Sequence, residues 1–543
     1  MAAETVGGES PTLFLRKATG LVRGWSVRDS IIYACLATNF VTLGIYEFTF
    51  AGPAFPKGQL ITAILISGVW VSFLVIAYSG LIVTIPRAGG DYVWQSRILG
   101  GGIGFVMAVT GWWFILWLWA PIYGNILSVQ LFQPLWATLG SPGGAAWFAS
   151  DTGIFVVCLI TIALAGILVS LGMAGYARLQ RWCFIGGVIA FAVVCVLLLF
   201  NSRETFIASF NHEAARIFGV HNAYQGTQAA AASLAKPDGY APTPLGFGPL
   251  GPTMLLVPAM MFFLLWPNWG STLYGEIRGA SDFKRVFIGM FTGLWLTVIL
   301  TVVFLLLVAK TMGWDFFQNM NAAFYYGVGK IPIWPYPFMF AGWLVHNTVF
   351  QVVLILALSL WFFGWVGTLF LSSTRVIFAA AFDRVLPDRA AEVSEKRKVP
   401  VWSLFLMLLP AAGLSAIYAY STTFRSYTLD ATLVIAVTYL FSAIAVVILP
   451  WRKPDLWRAS PASRVKLLGV PIVPVAGVVT IGLLGFNLYY WFTNDNYFVN
   501  DPKSLYFMGA MYVLAIVIYV GARIIRNRQG IDLGMINKEI PVE

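Results

Sequence analysis

Long apolar runs separated by short polar segments dominate the chain. Twelve of them reach the roughly 20 residues that an α-helix needs to cross about 30 Å of hydrocarbon. They fall at about 29–50, 59–85, 100–131, 152–172, 180–200, 249–275, 285–310, 343–381, 400–420, 430–450, 469–493 and 505–523. The longest must tilt or extend past the bilayer. A β-barrel would instead read as alternating strands of about ten residues. The pattern predicts an all-α polytopic membrane protein with 12 transmembrane helices. Two longer connections interrupt it, 201–248 and 311–342. The first is rich in Ala, Gly and Pro without a strong period, and reads as a loop with short helical pieces.

Composition narrows the class. Of the 543 residues 59 % are hydrophobic and 10 % charged, with a mean hydropathy of +0.79. A soluble chain is nearer half apolar and a quarter charged. These few charges cannot cover a large water-facing surface, which sets aside soluble enzymes, nucleic-acid-binding domains and disordered regulators; the expected surroundings are a lipid bilayer. The net charge of +11 reads as lysine and arginine held in cytoplasmic loops. With the amino terminus inside, the inner segments hold 26 of the 34 basic residues, among them Lys396, Arg397, Lys398 and the run Arg452 to Lys466. An even number of spans returns the carboxyl terminus to the cytoplasm. Arg16 and Lys17 precede any apolar run, so no cleaved signal peptide is expected. Cys35, Cys158, Cys183 and Cys195 lie inside apolar runs and read as small buried hydrophobes. The three histidines, His212, His221 and His346, suggest no metal cluster.

Within hydrocarbon every backbone polar group needs a partner, so an unwound helix is tolerated only where it lines a cavity or packs in protein. Transporters use such breaks at the substrate site. The sixth run contains Phe262-Phe263-Leu264-Leu265-Trp266-Pro267-Asn268-Trp269-Gly270-Ser271-Thr272. Pro267 removes an amide and clashes with the preceding turn, and Asn268 and Gly270 accept non-helical angles. The first run contains Thr38-Asn39-Phe40-Val41-Thr42-Leu43-Gly44, then Glu47 and Gly52-Pro53. Five spans separate the two, the spacing of an inverted five-plus-five repeat.

Four stretches resemble the amino acid–polyamine–organocation superfamily of secondary transporters over about 29–450. They are Arg28-Asp29 with Asn39–Gly44; Ile85-Pro86-Arg87-Ala88-Gly89-Gly90-Asp91-Tyr92-Val93-Trp94; Tyr274-Gly275-Glu276-Ile277-Arg278-Gly279; and Ser373-Thr374-Arg375-Val376 with Asp383-Arg384-Val385-Leu386-Pro387 and Val399-Pro400. The second is the most specific. The family's first-span Gly-Ser/Ala-Gly break is replaced here by a stretch with one glycine, and Trp266-Pro267-Asn268 stands where many members have a small residue and glycine. Both departures bear on substrate, not fold. The resemblance implies repeats at 29–200 and 249–450, with two extra helices at 451–523 reached through a cytoplasmic linker. Cytoplasmic tails at 1–28 and 524–543 and an extracellular loop at 201–248 complete the organisation.

The resemblance also implies an amino acid or related amine bound between the first, third, sixth and eighth spans. Free amides at a half-helix amino end suit a carboxylate, which points to Asn39, Val41, Thr42 and Gly44. Free carbonyls suit an ammonium, which points to Phe263, Leu264 and Trp266, with Asn268 and Gly270 shaping the break. Trp112, Trp113, Trp117, Trp119 and Tyr123 in the third span and Trp361, Phe362, Phe363 and Trp365 in the eighth offer pocket walls, or else packing and an interfacial belt. Glu47 is an intramembrane carboxylate, costly unless functional. It reads as a proton carrier, a partner for a substrate cation, an outer gate facing Arg425, or a paired structural acid. Asp91 and Glu276 read as inner-gate acids beside Arg87, Arg97 and Arg278.

No cofactor is expected beyond a coupling ion, sodium or a proton. Thr368 and Ser372 are weak sodium candidates, since their hydroxyls also bond back to their own helix, and no lysine lies in the fifth span after Arg181. Exchange without an ion stays open, as does symport against antiport. A channel would need a continuous polar pore, and a membrane enzyme a cluster of intramembrane acids or histidines. The reading is a plasma-membrane carrier working by alternating access. A polyamine or organic-cation exchanger of the same fold, or a sensor that binds without transport, are the alternatives. The oligomeric state is open.

Overall fold

A computed structural model describes residues 25–235, 239–243, 245–246, 248–394 and 399–540. The tail before Trp25 and the Lys396–Lys398 cluster lie outside the described residues. Twelve helical stretches are long and apolar enough to cross a membrane: Val27–Ala54, Leu60–Thr84, Gly101–Thr138, Asp151–Val169, Gly172–Phe200, Leu250–Glu276, Phe283–Tyr325, Thr348–Phe382, Val401–Tyr420, Thr428–Arg452, Ile472–Thr493 and Pro502–Arg528. They are called the first to twelfth spans below. The chain is a multi-pass membrane protein.

Local chemistry starts and stops these helices. At the first, Ser26 and Asp29 form a reciprocal capping box, each side chain accepting from the other's amide. Asp29 also receives the Arg181 guanidinium at 2.7 Å, which ties the first span to the fifth. Spans three and seven carry π-helical turns at Thr110–Phe114, Ser128–Phe132 and Ala309–Gly313.

The packing has a regular exchange relation. The first span packs on the seventh, and the sixth on the second. The fifth packs on the eighth, and the tenth on the third. The fourth lies against the eighth and ninth, and the ninth against the third and fourth. The eleventh span covers the tenth and second, and the twelfth rests on the third. Only 11 % of the twelfth span's apolar stretch is buried within the chain.

The described residues of 201–248 hold longer helices than the composition suggests, Arg203–Phe218 and Ala223–Ala232. Phe206, Phe210, Ala214 and Ile217 form one buried stripe on the first of these, a helical period diluted by intervening polar residues. Phe316, in the helix Trp314–Tyr325 at the end of the seventh span, receives Phe210 edge-on at 5.1 Å and stacks on Tyr224 at 4.1 Å. The two long connections therefore form one cap over the bundle.

Candidate functional site

Both expected breaks are present. The first span runs as an α-helix over Val27–Ala37, unwinds at Thr38 and Asn39, and resumes through a π-turn at Phe40–Gly44 into Ile45–Ala54. Asn39 caps the second half. Its Oδ1 accepts the Thr42 amide at 3.0 Å, and its carbonyl accepts both the Leu43 and Gly44 amides at 3.1 Å. Val41 follows the break, at an end where amides lack intrahelical partners. The Asn39 Nδ2 and the Thr42 hydroxyl are buried without a partner. The Thr42 carbonyl accepts Gln130 Nε2 of the third span at 2.9 Å.

The sixth span is helical over Leu250–Leu264, breaks at Leu265–Asn268, and continues as a 3₁₀ turn over Trp269–Glu276. Pro267 has no N–H, so the Phe263 carbonyl loses its normal donor. Leu264 ends the helix, where carbonyls also lack intrahelical donors. The Phe262 carbonyl is taken by the Trp266 indole at 2.7 Å, and the Trp266 carbonyl by the Trp269 amide at 3.0 Å. Both polar atoms of the Asn268 side chain are buried and unpartnered. The Tyr439 hydroxyl of the tenth span faces this side chain. Gly44 permits the breaks to approach: a Cβ there would lie 3.3 Å from the Phe263 ring. Gly270 similarly lets Tyr33 lie close.

A small enclosed cavity of about 10 Å³ sits between the breaks, room for about one water. Its walls are Ala37 and Leu43 of the first span, Trp119 and Tyr123 of the third, Trp266 and Trp269 of the sixth and Trp365 of the eighth. Trp119, Tyr123 and Trp365 are among the rings expected as walls. Ala37, Leu43 and Trp269 were not anticipated, although Leu43 and Trp269 lie inside the stretches already identified. Trp113 instead bonds the Leu406 carbonyl, and Trp361 packs on Phe40 and Phe184. On the side of the capping loops a vestibule of about 380 Å³ is lined by Tyr46, Asn125, Gln133, Tyr325 and Trp334, among others. Tyr46 of this vestibule has its ring centroid 6.3 Å from that of Phe262, which stacks at 5.3 Å on the chamber wall Trp119.

Residues 33–518 match the family model described as amino acid permease. The chain belongs to the amino acid permease family. The permease is 22 % identical over 500 residues to a branched-chain amino acid permease of Lactococcus lactis subsp. cremoris (strain MG1363), an alignment covering 89 % of this chain and 90 % of that one.

The opposite, basic face of the permease is closed by buried polar contacts that differ from those expected. Asp91 is fully buried and meets neutral donors: Tyr78 and Ser442 hydroxyls at 2.5 Å, the Trp112 indole at 2.9 Å and the Ser271 hydroxyl at 3.3 Å. The partnership with Arg97 is therefore corrected, because Arg97 turns to Asp383 in a bidentate contact of 2.5 and 2.8 Å. Glu276 likewise pairs with Arg375 of the eighth span at 2.7 and 3.1 Å, not with Arg278, whose amide bonds the Trp25 carbonyl. Positive φ angles at Gly89 and Gly90 fold the 85–94 stretch tightly enough for the Gly89 amide to reach the Thr272 carbonyl at 2.9 Å.

Glu47 is buried, with Oε1 unpartnered. It lines neither chamber nor vestibule, and Tyr46 and Tyr497 are among the ionisable groups around it. The expected Arg425 partner bonds Asp151 and the Tyr418 and Ala419 carbonyls instead. The Thr368 hydroxyl donates back to the Trp365 carbonyl at 2.7 Å; Ser372 donates to the Trp269 carbonyl at 3.1 Å and lies 2.9 Å from the Tyr33 hydroxyl.

Proposed function

We propose that the permease is a secondary carrier of zwitterionic amino acids with apolar side chains, working by alternating access in the plasma membrane with both termini in the cytoplasm. The observation that carries this reading is the meeting of two helix breaks beside one aromatic chamber, with the Asn39 Nδ2, the Thr42 hydroxyl and the Asn268 side chain buried close to it and the Phe263 carbonyl deprived of its helical donor by Pro267. The expected Thr42 and Gly44 amides are already held by Asn39, so the substrate carboxylate falls to the unpartnered Asn39 Nδ2 and Thr42 hydroxyl and to the amide of Val41 in the first turn. The Phe263 and Leu264 carbonyls take its ammonium, and the indoles enclose its side chain. The Lactococcus relative, named as a branched-chain amino acid permease, supports an apolar side chain.

The exchange relation in the packing supports an inverted repeat. Replacing each span n of the first five by n + 5, and the reverse, turns the one–seven contact into six–two, five–eight into ten–three, and four–eight into nine–three. A pseudo-dyad relating 29–200 to 249–450 produces that invariance, with 451–523 outside it. The positive-inside bias supports placing the Asp91 and Glu276 clusters at the cytoplasm. The structure then resembles an outward-facing, occluded state: a thin aromatic layer lies under the vestibule, and thick polar contacts close the inside.

For coupling, Thr368 and Ser372 donate their protons to protein carbonyls but keep their oxygen lone pairs, so the preference for a proton rests on the buried carboxylate of Glu47. Glu47, one turn beyond Gly44 on the half-helix that would hold the carboxylate, is the proposed carrier of that proton. Four indoles around the chamber favour one second reading, an organic cation held by cation–π attraction. No carboxylate lines the chamber among the described residues to neutralise such a cation. The test is uptake and counterflow of labelled leucine, isoleucine and valine in proteoliposomes, with putrescine and arginine as competitors. Leucine counterflow competed by apolar amino acids is expected. Competition by amines alone would transfer the site to the second reading, and binding without counterflow would make the protein a sensor.

A further inference from the structure

Two of the three histidines, far apart in sequence, meet at the capped face. His212 lies on the helix Arg203–Phe218, and His346 in the turn before the eighth span. Their rings stack with centroids 4.7 Å apart and an interplanar angle of 25°. Glu213 completes a group in which one ligand atom from each residue lies within 4.8 Å of the others. We propose that His212, Glu213 and His346 form a binding site for a divalent transition metal, with zinc the best chemical fit.

The donor set is two imidazoles and one carboxylate, a combination zinc takes with a water in the fourth position. With metal–ligand bonds of about 2.0 Å, tetrahedral ligands stand about 3.3 Å apart. His212 Nδ1 and Glu213 Oε1 are already 3.1 Å apart. Closing the remaining distance asks only for a swing of His346 and His212, and the latter side chain is 57 % exposed.

The surroundings hold the ligands in place. Trp343 packs on Phe210 at 5.2 Å, which fixes the helix against the turn beneath the histidines. Glu213 is buried, and its Oε2 is held by Arg216, itself 3.2 Å from Gln351 Oε1. His346 Nε2 lies 3.1 Å from the Ser209 hydroxyl. Metal-binding carboxylates and imidazoles commonly have such outer partners, which orient them. The Arg216 charge opposes a cation and favours a site of moderate affinity. A bound metal would staple the helix of the 201–248 cap to the start of the eighth span.

The test is zinc titration calorimetry on the full chain in detergent, with any purification tag removed, alongside His212→Ala, His346→Ala and the double variant. One site is expected in the native protein, weakened at least tenfold in each single variant and lost in the double. Copper(II) electron paramagnetic resonance should show coupling to two imidazole nitrogens, falling to one in each single variant. No zinc binding by the native protein would overturn the proposal. Binding equally tight in the variants would also overturn it, since the metal would then sit elsewhere, for example on a thiol. These readouts involve no transport and stand apart from the carrier reading.

Discussion

Glu276 and Arg375 face each other in a bidentate contact of 2.7 and 3.1 Å, with side chains 1 % and 0 % exposed. The pair joins the 3₁₀ end of the sixth span to the eighth. An ion pair this deep costs desolvation on both sides, so it is weak evidence for stability, yet removing one partner strands the other. Glu276→Gln or Arg375→Gln should destabilise the permease by about 3–5 kcal/mol. Thermal unfolding in detergent measures this, and the Glu276→Gln/Arg375→Met double variant should recover more than half. If the double variant is no better than the singles, the stranded-charge argument fails.

Asn268 separates function from stability. Its side-chain polar atoms are buried without partners, at a cost of about 1–3 kcal/mol. Asn268→Leu keeps the heavy-atom count and branching of the side chain and removes that cost. The substrate-free variant should melt at the native temperature or above it, while the stabilisation by saturating leucine disappears. Asn268→Ala should likewise impair uptake with normal membrane insertion. Retention of the leucine-induced shift by Asn268→Leu would move the site away from the sixth-span break.

The chamber walls should set the size of the substrate side chain. Trp365 lines the cavity and packs on Tyr123 with ring centroids 3.6 Å apart. Trp365→Ala opens space for a ring-sized group. Each methylene that gains or loses a fit is worth about 1–3 kcal/mol. Phenylalanine should therefore gain at least tenfold over valine as a competitor of labelled leucine. Unchanged competition ratios would show that Trp365 does not meet the side chain.

The spans and both breaks were legible because their signals are local. Apolar length marks each crossing, and Pro267 followed by Asn268 and Gly270, five spans after the Asn39–Gly44 stretch, marked the breaks; a proline alone does not, since Pro121, Pro258, Pro410 and Pro450 lie inside continuous helices. The partners of the acids were not. Sequence proximity suggested Arg87 and Arg97 for Asp91 and Arg278 for Glu276, but the observed partners of Asp91 come from spans two, three, six and ten. A helix presents near neighbours on different faces, so adjacency in sequence says little about charge pairing across a bundle. The same limit hid the meeting of His212 and His346, which depends on Phe210 and Trp343 packing between two distant segments. Glu47 could be identified by type and depth, but not by the direction of its side chain.

That direction gives the coupling hypothesis its sharpest test. Glu47 is buried off the substrate route, so a proton there would act through the rigid half-helix Ile45–Ala54 rather than by touching the substrate. Glu47→Gln preserves shape and cannot change charge. Exchange of internal for labelled leucine needs no net proton movement and should stay within about twofold of the native rate. Accumulation driven by an imposed inward proton gradient should be lost, because binding and re-orientation no longer differ between two protonation states. A glutamine variant that still concentrates leucine on that gradient would remove Glu47 from the coupling step and leave it a buried structural acid.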